Sequence, residues 1–277
     1  MQKSLVVLFR LLPIPVMYAL MGVVIPFYMI VNHREYLAAY RFFRIRMGRR
    51  PLRAFLDVYA NEFMFGQVVL DRFAVFAGRR FHIRTEGLEA FEQRAREADG
   101  LMILSAHVGH YEMSGYSLHA PKRFHVLVFG EETEHVMAGR QALFDRMGIS
   151  MIPVRQNDLS HIFRLNEALR DGDIVSIPAD RIFGSRKIVR APFFGQEAAF
   201  PKGPFELAAL RDVPVLTIFV LKEGLKRYCV RIEPLQADAA VPAREKADAL
   251  ARAYAQRLEA TVRAHPLQWY NFYDFWQ

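Results

Sequence analysis

The chain has 277 residues, 52% of them hydrophobic and 24% charged, with 23 Phe, which is long enough to bury a full core and too apolar for a disordered or low-complexity protein. Its one cysteine, Cys229, excludes an intramolecular disulfide framework and a cysteine-based structural zinc site, and fits a reducing compartment. An excess of 37 Lys+Arg over 29 Asp+Glu gives a formal charge of +8, which suits an anionic partner: nucleic acid, an anionic membrane surface or an acidic carrier protein.

From Leu11 to Val31 the chain carries no charge, about the length that crosses a bilayer core as a helix. Pro13, Pro15 and Pro26 lie in this stretch and favour a kinked or re-entrant anchor, because each proline removes a helical hydrogen bond. Arg34, Arg41, Arg44, Arg46, Arg49, Arg50 and Arg53 then follow with a single acid, Glu35, among them. Arginines beside an apolar segment keep that flank in the cytoplasm, resist export as a cleaved signal, and fit the headgroups of anionic membrane lipids. The expected division is a membrane anchor helix over residues 1–33 and one folded domain over 34–277. Because the arginines gather beside the apolar anchor, no nucleic-acid partner is expected.

Past the arginines, Phe55–Phe76 is dense in apolar residues and predicts a helix packed on most sides. Residues 81–87 alternate and end at a glycine, as a short strand does, and Leu88–Ala98 is amphipathic. The apolar run at 100–106 predicts a buried strand, and a helix can begin at Tyr111–His119. A strand at 123–129, a helix over Glu134–Met147, a strand at 151–154, a helix over Leu159–Arg170 and a strand at 173–180 come next. A helix over Pro204–Arg211, strands at 213–221 and 227–235, and a long helix over Ala243–Ala264 complete the chain. Strands separated by helices predict an α/β fold: a mostly parallel central sheet flanked by helices. In such sheets ligands bind beyond the carboxyl ends of strands, so those ends carry the candidate site.

Three strand ends are polar. In SAHVGHYEMSG (105–115), His107 and Glu112 stand five residues apart, a spacing that chance alone supplies about once in a chain of this composition. Placement gives the pair its interest, since a His at a strand end and a Glu in the next helical turn can face each other across a short loop. That pair could serve as a general base with an orienting carboxylate. The residues alone leave two other readings open, a structural His beside a helix-start Glu, or a metal site built from His107, His110 and Glu112. After the strand at 173–180, Asp180 and Arg181 emerge together, followed by the basic stretch with Arg186, Lys187 and Arg190. Arg155 lies just beyond the strand at 151–154 in the same way. Both could meet an anion or simply be solvated charge. A P-loop, a G-x-G-x-x-G turn, an H-E-x-x-H helix and a G-x-S-x-G elbow are all missing from the sequence.

Taken in order, SAHVGHYE (105–112), PVRQ (153–156), IPADRIFGS (177–185), APFFGQEAAFPKGPFELA (191–208), DVPVL (212–216) and HPLQWYNFYDFW (265–276) resemble the bacterial lipid A late acyltransferases. These form a branch of the lysophospholipid acyltransferase-like superfamily. The resemblance covers nearly all of the chain after residue 80. It implies an acyltransferase on the cytoplasmic face of the inner membrane that moves a fatty acyl chain from acyl carrier protein, or acyl-CoA, to a hydroxyl of a glycolipid. It implies His107 as general base with Glu112 as its orienting partner, and His110, Arg155, Asp180 and Arg181 as substrate-binding residues. No metal and no cofactor are implied. Two departures bear on the acceptor: His110 stands where the family commonly has Asn, and NFYDFW (271–276) replaces the usual tryptophan and basic ending. The acceptor is therefore left open between a lipid A precursor, another membrane lipid and an aryl polyene-type pigment, and the same dyad could also serve a lipid hydrolase. An apolar groove is expected near His107, with Phe193, Phe194 and Phe200 as candidates for its lining.

Overall fold

In the computed structural model the described residues are 12–128, 141, 144–145, 147–154, 160–182, 187–237 and 240–276. The expected helix over Glu134–Met147 falls mostly outside them, as do Arg155 and Arg186.

Helix α1 (Ile14–Val31) begins after Pro13, keeps Pro15 in its first turn where no hydrogen bond is lost, and runs on through Pro26. Helix α2 (His33–Arg41) passes into a π turn, Phe42–Arg46, that sends Phe42 and Phe43 into the core. Helix α3 (Pro51–Phe76) follows, again with proline in its first turn. It buries Asp57, Asn61, Glu62 and Asp71 alongside its apolar residues, which makes it the polar spine between α1 and the rest of the chain.

The remaining elements are β1 (His82–Glu86), α4 (Leu88–Glu97), β2 (Leu101–Gly109), a 3₁₀ turn (Tyr111–Tyr116), β3 (Phe124–Val128), β4 (Ile149–Pro153), α5 (Ser160–Arg170) and β5 (Ile174–Pro178). Then come β6 (Ile188–Phe193), β7 (Gln196–Pro201), α6 (Gly203–Arg211), β8 (Val215–Gly224), β9 (Arg227–Leu235) and α7 (Lys246–Ala264). Seven strands form one sheet in the order β1-β9-β8-β2-β5-β3-β4. Every pairing is parallel except β8 with β9, so the mostly parallel sheet expected from the alternation of elements is the one formed.

Both faces of the sheet are covered, and successive residues of β2 serve them alternately. Met102, Leu104, Ala106 and Val108 pack with Leu165, Phe205, Leu250 and Tyr254 from α5, α6 and α7. Leu101 and Ile103 pack on the other face with Phe91 of α4 and Met113 of the 3₁₀ turn. β2 is thus buried on both sides, which explains its unbroken apolar run.

The basic stretch beyond Arg181 carries regular structure that the sequence reading does not assign to it. From Ile188 it forms an antiparallel hairpin, β6 with β7, whose tip is Phe194 and Gly195, both at positive φ. Burial alternates strictly along β6, with Val189, Ala191 and Phe193 inside and Ile188, Arg190 and Pro192 outside. A two-residue turn with both residues left-handed matches the twist of a hairpin. Phe193, Phe194 and Phe200 are correspondingly core residues, in an aromatic cluster with Trp269, Phe275 and Trp276.

Candidate active site

The site is built where β2 and β5 end side by side. Their register pairs Leu101 with Ile174 and Ser105 with Pro178; carried two residues further, it sets Asp180 abreast of His107. The Ala179 N–H donates to Ser105 O at 2.9 Å, which extends the ladder past the last strand residue. Asp180 then meets His107 twice. The His107 backbone N–H donates to Oδ2 at 2.9 Å, and ring Nδ1 lies 2.7 Å from Oδ1.

Asp180 is 1% exposed and its carboxylate also accepts from Trp269 Nε1–H at 3.3 Å. Burial pushes its carboxyl up, but the His107 imidazole, the hydrogen bonds from His107 and the Arg181 guanidinium outweigh that and hold it below the ordinary carboxylate range. An ionised Asp180 can only accept, so the proton of a neutral His107 ring belongs on Nδ1 and the lone pair on Nε2. With its side chain 21% exposed, His107 is the open member of the pair.

The C-terminal segment holds this arrangement from outside. The Tyr270 N–H donates to His107 O at 2.9 Å, and Val108 bridges Trp269 as a short antiparallel pair. Gln268 grips β8 at both backbone groups of Lys222, accepting from its N–H at 2.8 Å and donating to its carbonyl at 3.0 Å. Tyr273 O–H donates to Asp180 O at 3.2 Å. Tyr254 of α7 donates to Ser105 O at 2.7 Å, so the backbone before His107 is fixed from the helix layer as well.

The other expected residues are placed as follows. Glu112 is buried in the 3₁₀ turn and its carboxylate faces Arg72 of α3 at 3.5 Å; the side-chain partner of the His107 ring is Asp180. His110 is 4% exposed, its ring set edge-on to Tyr228 at 5.7 Å and its backbone N–H donating to Val220 O. Arg181 donates to the Tyr270 carbonyl and sits 5.8 Å from the Tyr273 ring. Arg155 lies outside the described residues. Between His107 and His110, Gly109 has a φ of +61, and a Cβ there would come within 1.8 Å of Val220 O, so only glycine permits β2 to turn this closely against β8. Among the described residues no group of three His, Cys, Asp or Glu side chains gathers to hold a metal.

An apolar cavity opens beside this turn and is shared in part with solvent. Ile103, Leu118, Phe124, Val126, Ile149 and Ile218 form its walls, and Tyr111 and Glu112 stand among its lining. The Tyr111 ring lies 6.1 Å from that of His107. The cavity is on the α4 face of the sheet, opposite the aromatic cluster that contains Phe193 and Phe200, which is why those phenylalanines do not line it.

The sequence did not point to Trp269 or Gln268 as site residues, nor to Asp180 as the partner of His107. The signal available for Asp180 was the equal run of apolar residues leading to His107 and to Asp180, which becomes a distance only once β2 and β5 are known to be neighbours.

A base at a strand end, a buried carboxylate behind it and an apolar cavity alongside suit acyl transfer in a lipid setting. A search of curated proteins finds no match to the chain. Residues 64–277 match the family described as bacterial lipid A biosynthesis acyltransferase, and the chain belongs to that family of acyltransferases.

Proposed function

We propose that the protein transfers a fatty acyl chain from a thioester, on acyl carrier protein or CoA, to a hydroxyl of a membrane glycolipid such as a lipid A precursor, at the cytoplasmic face of the inner membrane. The observation that carries this reading is the hydrogen-bonded pair of His107 and Asp180 at a strand end, in a chain of this family.

His107 Nε2 takes the proton of the acceptor hydroxyl as its oxygen attacks the thioester carbonyl. Asp180 holds the ring in the required tautomer and stabilises the imidazolium that forms. Collapse of the tetrahedral intermediate breaks the carbon–sulfur bond, forms the ester, and returns the proton from His107 to the departing thiolate. Covalent attachment of the acyl group to the protein is not required. The cavity beside Tyr111 takes the hydrocarbon chain, and Glu112 with Arg72 forms the polar lip between cavity and base. Gly115 in its lining fits this use: a Cβ there would lie 2.9 Å from Ile149 Cδ1, so a larger side chain would intrude on the space.

The test is mass spectrometry of lipids from cells with and without the protein, with a His107→Ala control, followed by reaction of the purified enzyme with acyl carrier protein and CoA thioesters. The expected result is an acyl ester that disappears with His107→Ala, with turnover lowered about 10²–10⁴-fold and folding intact. Loss of an acyl group from a different lipid or a pigment would move the acceptor and keep the chemistry. Release of free fatty acid with no ester formed would overturn acyl transfer in favour of hydrolysis.

A further inference from the structure

Helix α1 is long and apolar enough to cross a bilayer, yet both of its ends are built into the same folded body. At its start, Ile14, Met17 and Tyr18 pack with Ala74 and Ala77, and Leu12 O accepts from Arg79 at 2.9 Å. Tyr18 O–H donates to Asp71 of α3, and the Lys222 ammonium of β8 meets both groups at once. Midway, Tyr59 O–H donates to Gly22 O at 3.1 Å, and Gly66 leaves room for Met21. At its end, Ile25 and Met29 join the core cluster that also holds Phe42, Phe43, Val58 and Trp269. The helix therefore lies antiparallel along α3 for its whole length.

A bilayer enclosing α1 from end to end would enclose α3 as well. That helix is fastened to the catalytic segment on its other side, where Asn61 donates to the carbonyls of Leu267 and Trp269 at 3.0 Å and Arg72 faces Glu112. The buried Asp57, Glu62 and Asp71 would then sit at membrane depth, where ionisable groups are expensive. The outward face of α1 presents the opposite character. Val16, Leu20, Val23, Phe27 and Ile30 recur at helical spacing, and each is exposed, Val23 and Phe27 by 66% and Ile30 by 74%. On the elements that follow, Leu37, Ile45, Leu52 and Phe55 are exposed too, as are Arg34, Arg41, Arg50 and Arg53, of which Arg41 pairs with Asp274 and Arg53 with Asp57.

We infer that the protein is monotopic: α1 lies in one leaflet of a bilayer rich in anionic lipid, its outer stripe among the acyl chains, its arginines at the phosphates, and both of its ends on the side of the catalytic domain. The apolar stripe supplies depth and the arginines supply charge complementarity to the headgroups, a combination that fits a lipid surface. A second copy of the chain would place arginine against arginine. This inference concerns attachment and does not depend on the chemistry of His107.

The experiment uses the full chain in its membrane. Cys229 is buried, so a cysteine in an N-terminal tag and Glu97→Cys on the exposed side of α4 can be labelled separately with an impermeant maleimide, in spheroplasts and in inverted vesicles. Both positions are expected to label in the inverted vesicles; a tag that labels only in spheroplasts would mean a spanning helix and overturn the inference. Fluorophores at Val23→Cys and Phe27→Cys, bound to phosphatidylglycerol–phosphatidylethanolamine vesicles, are expected to be quenched more by a group near the headgroups than by one at the midplane. Stronger quenching at the midplane, or none at all, would equally overturn it, the second pointing to a face covered by protein. Arg34→Glu and Arg50→Glu are each expected to weaken vesicle binding at low salt, roughly fivefold per arginine neutralised, and more with reversal.

Discussion

The carboxylate of Asp180 holds His107 at two points, ring Nδ1 through Oδ1 at 2.7 Å and backbone N–H through Oδ2 at 2.9 Å. One buried side chain thereby sets both the rotation of the imidazole and the path of the strand that carries it. Asp180→Asn replaces an obligate acceptor with an amide that can present N–H to the ring, and so favours the wrong tautomer. Turnover is expected to fall by roughly 10²–10⁴-fold with KM little changed. Glu112→Gln, beside Arg72, is expected to cost less in turnover. Steady-state kinetics on the two variants check this, and a larger loss in Glu112→Gln would return the orienting role to Glu112.

Much of this arrangement is legible in the sequence, and what stays hidden there is hidden for two physical reasons. The apolar runs before His107 and Asp180 marked two buried strands, and the alternation of helices with strands marked a mostly parallel sheet. Which strands are neighbours is a property of the folded topology, so the pairing of His107 with Asp180 could not be separated from a pairing with Glu112 by spacing along the chain. The hairpin of β6 and β7 was hidden for a different reason. Its charged residues were prominent while its alternation, Val189, Ala191 and Phe193 inward, spans only a few residues. The ending NFYDFW (271–276) bears on the acceptor only by resemblance; in the fold its Tyr273 donates to Asp180 O, and Trp269 and Tyr270 just before it serve the Asp180 carboxylate and the His107 backbone.

Gly109 makes a sharper test of how closely β2 must approach β8. In Gly109→Ala the new methyl would fall 1.8 Å from Val220 O, and an L side chain at a φ of +61 is already strained. Gly78 is a matched control, with a φ of +87 and open space where a Cβ would go. Denaturant titration is expected to show a loss of more than about 2 kcal/mol for Gly109→Ala and only about 1 kcal/mol for Gly78→Ala. Equal losses would mean that the close approach to Val220 is not a constraint.

Lys222 and Asp71 form an ion pair with side chains 3% and 1% exposed, and the hydroxyls of Tyr18 and Tyr228 donate to the same carboxylate. Burial draws the Lys222 ammonium below its ordinary range, while the charge and hydrogen bond of Asp71 oppose that shift. Lys222→Met leaves the Asp71 charge buried without its cation and is expected to destabilise the fold by about 3–5 kcal/mol. Combining it with Asp71→Leu removes both charges and should recover much of that loss, a non-additivity that a double-mutant cycle in urea measures directly. Additive losses would show that the two groups are not coupled.

Glu62 supplies a dependence on pH with a definite sign. It is 2% exposed, and among the described residues neither carboxylate oxygen has a hydrogen-bond partner. Burial, with the charge of Glu35 adding to it, pushes its carboxyl up to about 7. In the unfolded chain the group ionises near the ordinary glutamate value, so between roughly pH 4.5 and 7 the native state holds a proton that the unfolded state has given up. The stability that proton contributes is complete below the lower bound and is lost as pH rises through the upper one. Glu62→Gln keeps a neutral group of the same shape and removes the titration. The wild-type protein is therefore expected to lose about 2–3 kcal/mol relative to Glu62→Gln between about pH 5 and 8, and the two should converge on the acid side. Urea denaturation across that range is the measurement. Parallel curves would mean that Glu62 is ionised in the native state throughout, with a cation beside it.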